Sequence, residues 1–199
     1  MIRVGITGNI GSGKSTVCQI FETLGIPIYY ADKEAKKLYT QYPEIKTNIQ
    51  LLLGTSAYDL NGQPNFTYIK DAVFKDAQTL QEINAILHPY VFKAFDDWCT
   101  QQAEISPLPP YILKEAAILF ESGADKTVDK SILVTAPEAL KIARASQRDG
   151  VLEEEISLRL KKQFPESVLI PLADFVINND GHKALIPQVL KIHREICLS

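Results

Sequence analysis

The segment Gly8-Asn9-Ile10-Gly11-Ser12-Gly13-Lys14-Ser15 constrains this chain more than any other. It fits the pattern G-x-x-x-x-G-K-[ST], which a chain of this length and average residue usage matches by chance in about one case in a hundred. An apolar run at residues 2–7 precedes it. Val17, Ile20, Phe21 and Leu24 follow at i, i+3, i+4 and i+7, and Gly25 then closes the pattern as a helix stop. Between a strand and a helix, a glycine-rich loop turns its N–H groups inward around an anion. The helix start adds the positive end of its dipole. Lys14 can reach the β- and γ-phosphates of a nucleotide, and the Ser15 hydroxyl can ligate Mg²⁺. Gly8, Gly11, Ser12, Gly13, Lys14, Ser15 and Thr16 are therefore the expected nucleotide-phosphate site. A plain glycine-rich turn ahead of an ordinary helix is the competing account. The strand, motif and helix in succession speak against it.

The rest of the chain reads as α/β. Residues 2–7, 26–30, 111–115, 131–135 and 175–178 are short apolar runs, mostly bounded by Gly, Pro, Asp or Asn. They are near-continuous and not alternating, which predicts a parallel sheet covered on both faces. About eighty residues separate the second run from the third, far more than one crossover needs. Helical patterns occupy residues 32–39, 80–102 and part of 44–53, around a turn-rich stretch at 58–65. A charged, helical second insert spans 137–168, residues 105–110 form a proline-stiffened approach to the third strand, and an amphipathic helix closes the chain from Ile186. The expected architecture is a P-loop NTPase core with a five-stranded parallel sheet (residues 1–31, 106–136 and 169–199). A helical acceptor-binding insert (32–105) and a helical lid (137–168) are added to it.

Composition limits the function classes. Twenty-one Lys and Arg against 24 Asp and Glu give a net charge of −3. That is no footprint for nucleic-acid binding, so an anionic ligand must be held by local geometry. Cys18, Cys99 and Cys197 show no C-x-x-C spacing, so neither a disulfide framework nor a thiolate zinc site is expected. No apolar stretch reaches the roughly 18–20 residues of a membrane span. The opening MIRVGITG lacks a charged segment followed by a long apolar run, so no signal peptide is expected and the protein reads as cytoplasmic.

Among nucleotide enzymes, a GTPase should carry N-K-x-D, and none is present. Asp59 and Gly62 have D-x-x-G spacing, but in the turn-rich stretch, where it reads as coincidence. Two inserts at the sheet edge suggest a kinase, one holding the acceptor and the other closing over ATP to exclude water. Asp32 lies two residues beyond the second strand, at the ligand-binding edge. It can accept a proton from an acceptor hydroxyl or simply cap the next helix. Arg144 and Arg148 share a helix face and can close onto phosphates, with Arg159 as a third candidate. Asp149 and Glu153 to Glu155 offer them a solvated ionic surface instead. His88 can meet a substrate phosphate or hydroxyl, or serve packing. Glu115, ending the third strand, can act on Mg²⁺ through water, orient Asp32 or touch the acceptor, and Glu121 can line an acceptor pocket.

The residues from Val4 to Val17 closely resemble the start of dephospho-CoA kinases, and further matches follow in that family's order. Ala31-Asp32 resembles its D-A-D segment. Val73-Phe74, Ile83-Asn84 and His88-Pro89-Tyr90-Val91 resemble its V-F, L-N and H-P-x-[IV] run, and Ile118-Leu119-Phe120-Glu121 its L-L-F-E. Arg144, Arg148-Asp149, Arg159 and Gln163 match its lid pattern, and Val176-Ile177-Asn178-Asn179 its closing V-I-x-N. The resemblance implies ATP-dependent phosphorylation of the ribose 3′-hydroxyl of dephospho-CoA, the last step of coenzyme A synthesis. Mg²⁺ accompanies ATP, Asp32 is the base, and Arg144 and Arg148 lie near the phosphates. The chain departs from the pattern at Tyr30 (Asp in the family), Lys36 (Arg), Phe66 (Arg), Glu115 (Asp) and Ala117 (Pro). Another P-loop small-molecule or nucleoside-monophosphate kinase, and a nucleotide-dependent switch without an acceptor, are the alternatives. A monomer or weak homo-oligomer is expected. Replacement Lys14→Ala is expected to abolish phosphoryl transfer in a coupled ADP-release assay, and full retained activity would refute the phosphate-loop reading.

Overall fold

The computed structural model describes Met1–Leu198, and the side chains of Phe74 and Ala77 lie outside the described residues, as does Ser199. The Phe74 part of the family resemblance is thus outside them too. In chain order the elements are β1 (Ile2–Thr7), α1 (Lys14–Thr23), β2 (Ile28–Tyr30), α2 (Ala31–Gln41), α3 (Pro43–Leu53), α4 (Phe66–Lys75), α5 (Ala77–Ala103), β3 (Tyr111–Glu115), β4 (Lys130–Thr135), α6 (Glu138–Asp149), α7 (Glu153–Leu160), α8 (Glu166–Leu169), β5 (Phe175–Asn178) and α9 (Leu185–Cys197). The chain divides into two compact units, Met1–Tyr30 with Gln101–Ser199, and Ala31–Thr100.

The first unit is built on a five-stranded, wholly parallel sheet in the order β2-β3-β1-β4-β5. The strands are apolar throughout because helices cover both faces. Val4, Ile6, Ile112, Leu113, Ile132, Leu133 and Val134 are all fully buried. Helix α1 buries Val17, Cys18 and Phe21 against the sheet, and Val189, Ile192 and Ile196 of α9 join the same core. Burying side chains of this size stabilises the fold by about 1.5–3 kcal/mol each. Lys114, which interrupts the apolar run of β3, is buried as well, and its Nζ donates to Thr127 Oγ1 at 3.0 Å. The open edge of β5 is covered by a side chain. Gln188 Oε1 accepts from Asn178 N–H (2.9 Å) and Gln188 Nε2 donates to the Asn178 carbonyl (3.0 Å), as a neighbouring strand would.

The second unit is helical. Its core is Leu38, Tyr39, Ile45, Ile49, Ala57, Tyr58, Ile69, Ile83 and Leu87, tied by a buried bond from the Tyr58 hydroxyl to the Tyr39 carbonyl (3.0 Å). Asp59 and Gly62 form a turn. Gly62 N–H donates to Asp59 O (3.0 Å), and Asp59 Oδ1 accepts from the N–H groups of Asn61 and Gln63. Their D-x-x-G spacing is therefore turn chemistry. Among the described residues no helix is long and apolar enough to cross a membrane.

Three boundaries differ from the sequence expectation. The second strand begins at Ile28 and not at residue 26, because Ile26 completes the end of α1. Gly25 N–H donates to Glu22 O (2.9 Å) and Ile26 N–H to Phe21 O (3.2 Å), the paired bonds of a left-handed helix stop. Helix α4 is not among the helical patterns read from the sequence, although Phe66, Ile69 and Val73 stand at i, i+3 and i+7. It starts where Asn65 Oδ1 caps Tyr68 N–H (3.2 Å). Helix α5 begins at Ala77 and not at Leu80, because Asp76 accepts from Gln78 N–H (3.1 Å) and Thr79 N–H (3.0 Å). A bond from the Thr79 hydroxyl (2.7 Å), and then these two, hold the Asp76 carboxyl below the usual range. Gly25 has a φ of +76°, and a side chain there would meet open space, so Gly25→Ala isolates the backbone cost. The variant is expected to lose about 1–2 kcal/mol in urea denaturation, and an unchanged midpoint would sink the assignment.

Candidate active site

The site is built at the carboxyl edge of the sheet, with β1 at its centre. Ile6 of β1, Glu115 of β3 and Tyr30 of β2 stand in one row of the register. Beyond β1 the glycine loop is enclosed by backbone. A β-carbon on Gly8 would lie 2.3 Å from the Val134 carbonyl oxygen, and one on Gly11 2.0 Å from that of Lys141. At Gly13 it would lie 2.1 Å from Asn179 Nδ2. Only hydrogen fits at these three places. Ser12 is fully buried, and its carbonyl accepts from Asn179 Nδ2 at 2.8 Å.

Helix α1 starts at this loop without a side-chain cap, and no acidic residue lies in its first turn. Its leading N–H groups and dipole end are therefore left to an anion. Lys14 Nζ donates to the Gly8 carbonyl at 2.6 Å, which folds the ammonium over the loop, and Ser15 and Thr16 are exposed beside it. Cys18, one turn further, has its thiol pushed up to about 12, first by burial, then by Glu115 and Glu22, against the opposing pull of Lys14. A thiol so shifted stays protonated at neutral pH. Among the described residues no group of three or more His, Cys, Asp or Glu is placed to hold a metal. A divalent cation here would depend on Ser15, phosphate oxygens and water, the donor set Mg²⁺ favours.

The segment 137–168 reaches the loop at several points. Asn9 Nδ2 donates to the Phe164 carbonyl (3.0 Å) and Ile10 N–H to Gln163 Oε1 (2.8 Å). Glu121 Oε1 accepts from Phe164 N–H (3.1 Å), so one of its oxygens is engaged with this turn. Arg144 donates from Nη1 to the Asn179 carbonyl (3.1 Å), one residue from the loop. Arg148 is placed otherwise. It pairs with Asp149 (Nε–Oδ1 2.7 Å), and Arg159 pairs with both Asp149 and Glu155. The Arg148 guanidinium holds the Asp149 carboxyl below the usual range. The ionic surface foreseen as an alternative thus occupies Arg148 and Arg159, whereas Arg144 backs the loop. Asn9, Lys141, Gln163, Phe164 and Glu166 line a cavity of about 790 Å³, with Lys141 Nζ bonded to Glu166 Oε1 at 2.7 Å.

Sequence reasoning did not single out Lys141, and it placed Asn179 and Gln163 in family motifs without giving either a role at the loop. The V-I-x-N match at residues 176–179 was the available signal for Asn179. Lys141 touches the loop through its carbonyl, which side-chain identity does not reveal.

In the helical unit, Asp32 is the second residue of α2 and is exposed. The helix begins at Ala31, so Asp32 sits inside its first turn and is not the N-cap. His88 is exposed on α5, edge-on to Phe92 at 5.9 Å. Lys36 and Phe66, two of the departures from the family pattern, meet each other, with the ammonium 5.8 Å from the ring centroid. Tyr30, a third departure, donates from its hydroxyl to Glu22 Oε1 at 2.9 Å. Burial and this bond push its phenol pKa up.

Five parallel strands in this order, with a G-x-x-x-x-G-K-S loop between the central strand and its helix, define a P-loop nucleotide-binding protein of the kinase type. The family model described as Dephospho-CoA kinase matches residues 2–184. A Dephospho-CoA kinase of Bacteroides fragilis (strain YCH46) is 37% identical over 191 residues, covering 96% of this chain and 91% of that protein. One of Salinibacter ruber is 37% identical over 181 residues, covering 91% and 90%. The crystal structure of TT1252 from Thermus thermophilus superposes with a TM-score of 0.86 at 27% identity, covering 98% of this chain and 96% of that one. The chain belongs to the dephospho-CoA kinase family.

Gly11→Ala tests the enclosed loop. Strain of about 1–3 kcal/mol is expected to weaken binding of a non-hydrolysable ATP analogue roughly 5- to 150-fold by calorimetry. Wild-type affinity would contradict the close approach of Lys141.

Proposed function

We propose that this protein transfers the γ-phosphoryl group of ATP to the ribose 3′-hydroxyl of dephospho-CoA, giving coenzyme A and ADP. The observation that carries the reading is the phosphate loop. Three glycines, two pressed against backbone carbonyls and the third against the Asn179 amide, and an ammonium folded over the loop sit in a chain whose residues 2–184 match the family. Gly8, Gly11, Ser12, Gly13, Lys14, Ser15 and Thr16 hold the ATP phosphates. Ser15 holds Mg²⁺, which fits the exposed hydroxyl at the helix start. When bound, the ion neutralises phosphate charge.

Asp32 accepts the proton of the 3′-hydroxyl as that oxygen bonds to the γ-phosphorus and the bond to the β–γ bridging oxygen breaks. Its exposure and its place two residues beyond β2 support this role. Arg144 and Arg148 neutralise charge on the transferring group. Arg148 reaches it by leaving an exposed pair with Asp149, a pair worth about 0–1 kcal/mol. His88, Glu115 and Glu121 are assigned to the acceptor. The slightly acidic balance supports a protein without a nucleic-acid partner. We read it as cytoplasmic, without a membrane partner, and as a monomer or weak homo-oligomer.

Incubation with ATP and dephospho-CoA, with mass detection of coenzyme A, tests the reaction. An inert dephospho-CoA alongside a reactive nucleoside monophosphate or other small alcohol would overturn it. Asp32→Asn is expected to leave ATP binding within about twofold and to cut turnover by about 10²–10⁴-fold. Wild-type turnover in that variant would remove Asp32 as the base.

A further inference from the structure

Four hydrogen bonds converge on Gln163 and Phe164, in the turn between α7 and α8. Two come from the phosphate loop: Ile10 N–H to Gln163 Oε1 at 2.8 Å, and Asn9 Nδ2 to Phe164 O at 3.0 Å. Two tie the turn to the segment after β3: Phe164 N–H to Glu121 Oε1 at 3.1 Å, and a longer bond from Gln163 Nε2 to Ala117 O at 3.5 Å. Asn9 is only 3% exposed, and its Oδ1 is buried without a hydrogen-bond partner, as is Glu121 Oε2. Polar groups are therefore desolvated here to make these bonds, at a cost that an ordinary surface turn would not carry.

Within the loop, Ser12 N–H donates to Asn9 O (3.0 Å) and Lys14 Nζ to Gly8 O (2.6 Å). Its three glycines have the widest conformational freedom of any residue, and ordering each costs about 1–2 kcal/mol. Asn9 and Ile10 are its two consecutive non-glycine residues, and the side-chain amide of the first and the N–H of the second both bond to the 163–164 turn. That turn ends the segment that carries Arg144 and Arg148.

We infer that Gln163, Asn9 and Glu121 are positioning residues that latch the phosphate loop in its anion-binding shape to the α7–α8 turn. ATP thus binds tightly only when the turn is docked. The inference rests on the reading of this loop as the ATP site and deepens it. By thermodynamic reciprocity, ATP stabilises the docked turn as much as the docked turn favours ATP.

The test uses the full chain, a non-hydrolysable ATP analogue by calorimetry, and steady-state kinetics. Gln163→Met leaves the Ile10 N–H without its acceptor, and Glu121→Leu does the same for Phe164. Each is expected to weaken analogue binding and raise the KM for ATP about tenfold. For Gln163→Met, whose residue has no acceptor role, the KM for dephospho-CoA and kcat are expected to stay within about threefold. Glu121→Gln keeps an acceptor oxygen and is expected to recover the affinity that Glu121→Leu loses.

Wild-type affinity in both Gln163→Met and Glu121→Leu would overturn the latch. So would a rise confined to the acceptor KM in both variants, which would leave Glu121 with its acceptor role alone. A lowered melting temperature with unchanged KM for ATP would make the contacts merely structural and overturn it equally. Should a variant fail to fold, amide exchange on the unaltered protein decides. The Ile10 N–H is expected to be protected before the analogue is added and more protected after, and rapid exchange in both states would refute the latch. A wild-type protein that binds the analogue but leaves dephospho-CoA unphosphorylated would defeat the proposed reaction and leave the latch comparison intact.

Discussion

Everything at the carboxyl edge of this sheet depends on how closely backbone can approach the glycine loop. The carbonyls of Val134 and Lys141 and the side-chain amide of Asn179 stand where β-carbons would be. Those groups come from the end of β4, from α6 and from the turn after β5. The sheet order that places β4 beside β1 and β5 beyond it is what delivers them. The loop is thus the point at which several distant stretches of chain are forced to agree. A single methyl group there would push one of them away.

A chain of net charge −3 must also hold a polyanion. What it offers for that are short-range devices: uncapped N–H groups at the start of α1, the ammonium of Lys14 and the absence of acids in the first helical turn. Several of its other charges are matched locally, as in Arg148 with Asp149, Arg159 with Asp149 and Glu155, and the more buried Lys141 with Glu166. Exposed pairs of this kind contribute little to stability and are readily exchanged for a phosphate partner. Partial separation of an arginine from its present carboxylate is therefore a cheap motion, whereas disturbing the glycine cradle is not.

Much of the fold was legible because parallel strands buried on both faces announce themselves as unbroken apolar runs. All five were found, with boundaries off by no more than two residues. Helix α4 was not: Phe66, Ile69 and Val73 keep helical spacing, but the helix starts directly behind the turn-rich stretch at 58–65, whose last residue, Asn65, is its cap. Ile26 looked like strand because it is apolar and buried, yet its backbone N–H is committed to ending α1. Asp32 looked equally like a cap or a base. One residue of helix register, with α2 starting at Ala31, removed the cap.

The sequence by itself determined the parallel α/β class, the phosphate loop with Lys14 and Ser15, and the family, because each is written in contiguous residues or in their order. Tertiary structure alone decided which groups support that loop. Asn179, Lys141 and Gln163 lie far from it along the chain. All three act through a carbonyl or a side-chain amide whose partner is backbone, and backbone contacts leave no mark in residue identity. It also separated the two lid arginines, giving Arg144 to the Asn179 carbonyl and Arg148 to Asp149. Helical spacing can place two side chains on one face, but only the packed neighbours determine which acceptor each one reaches.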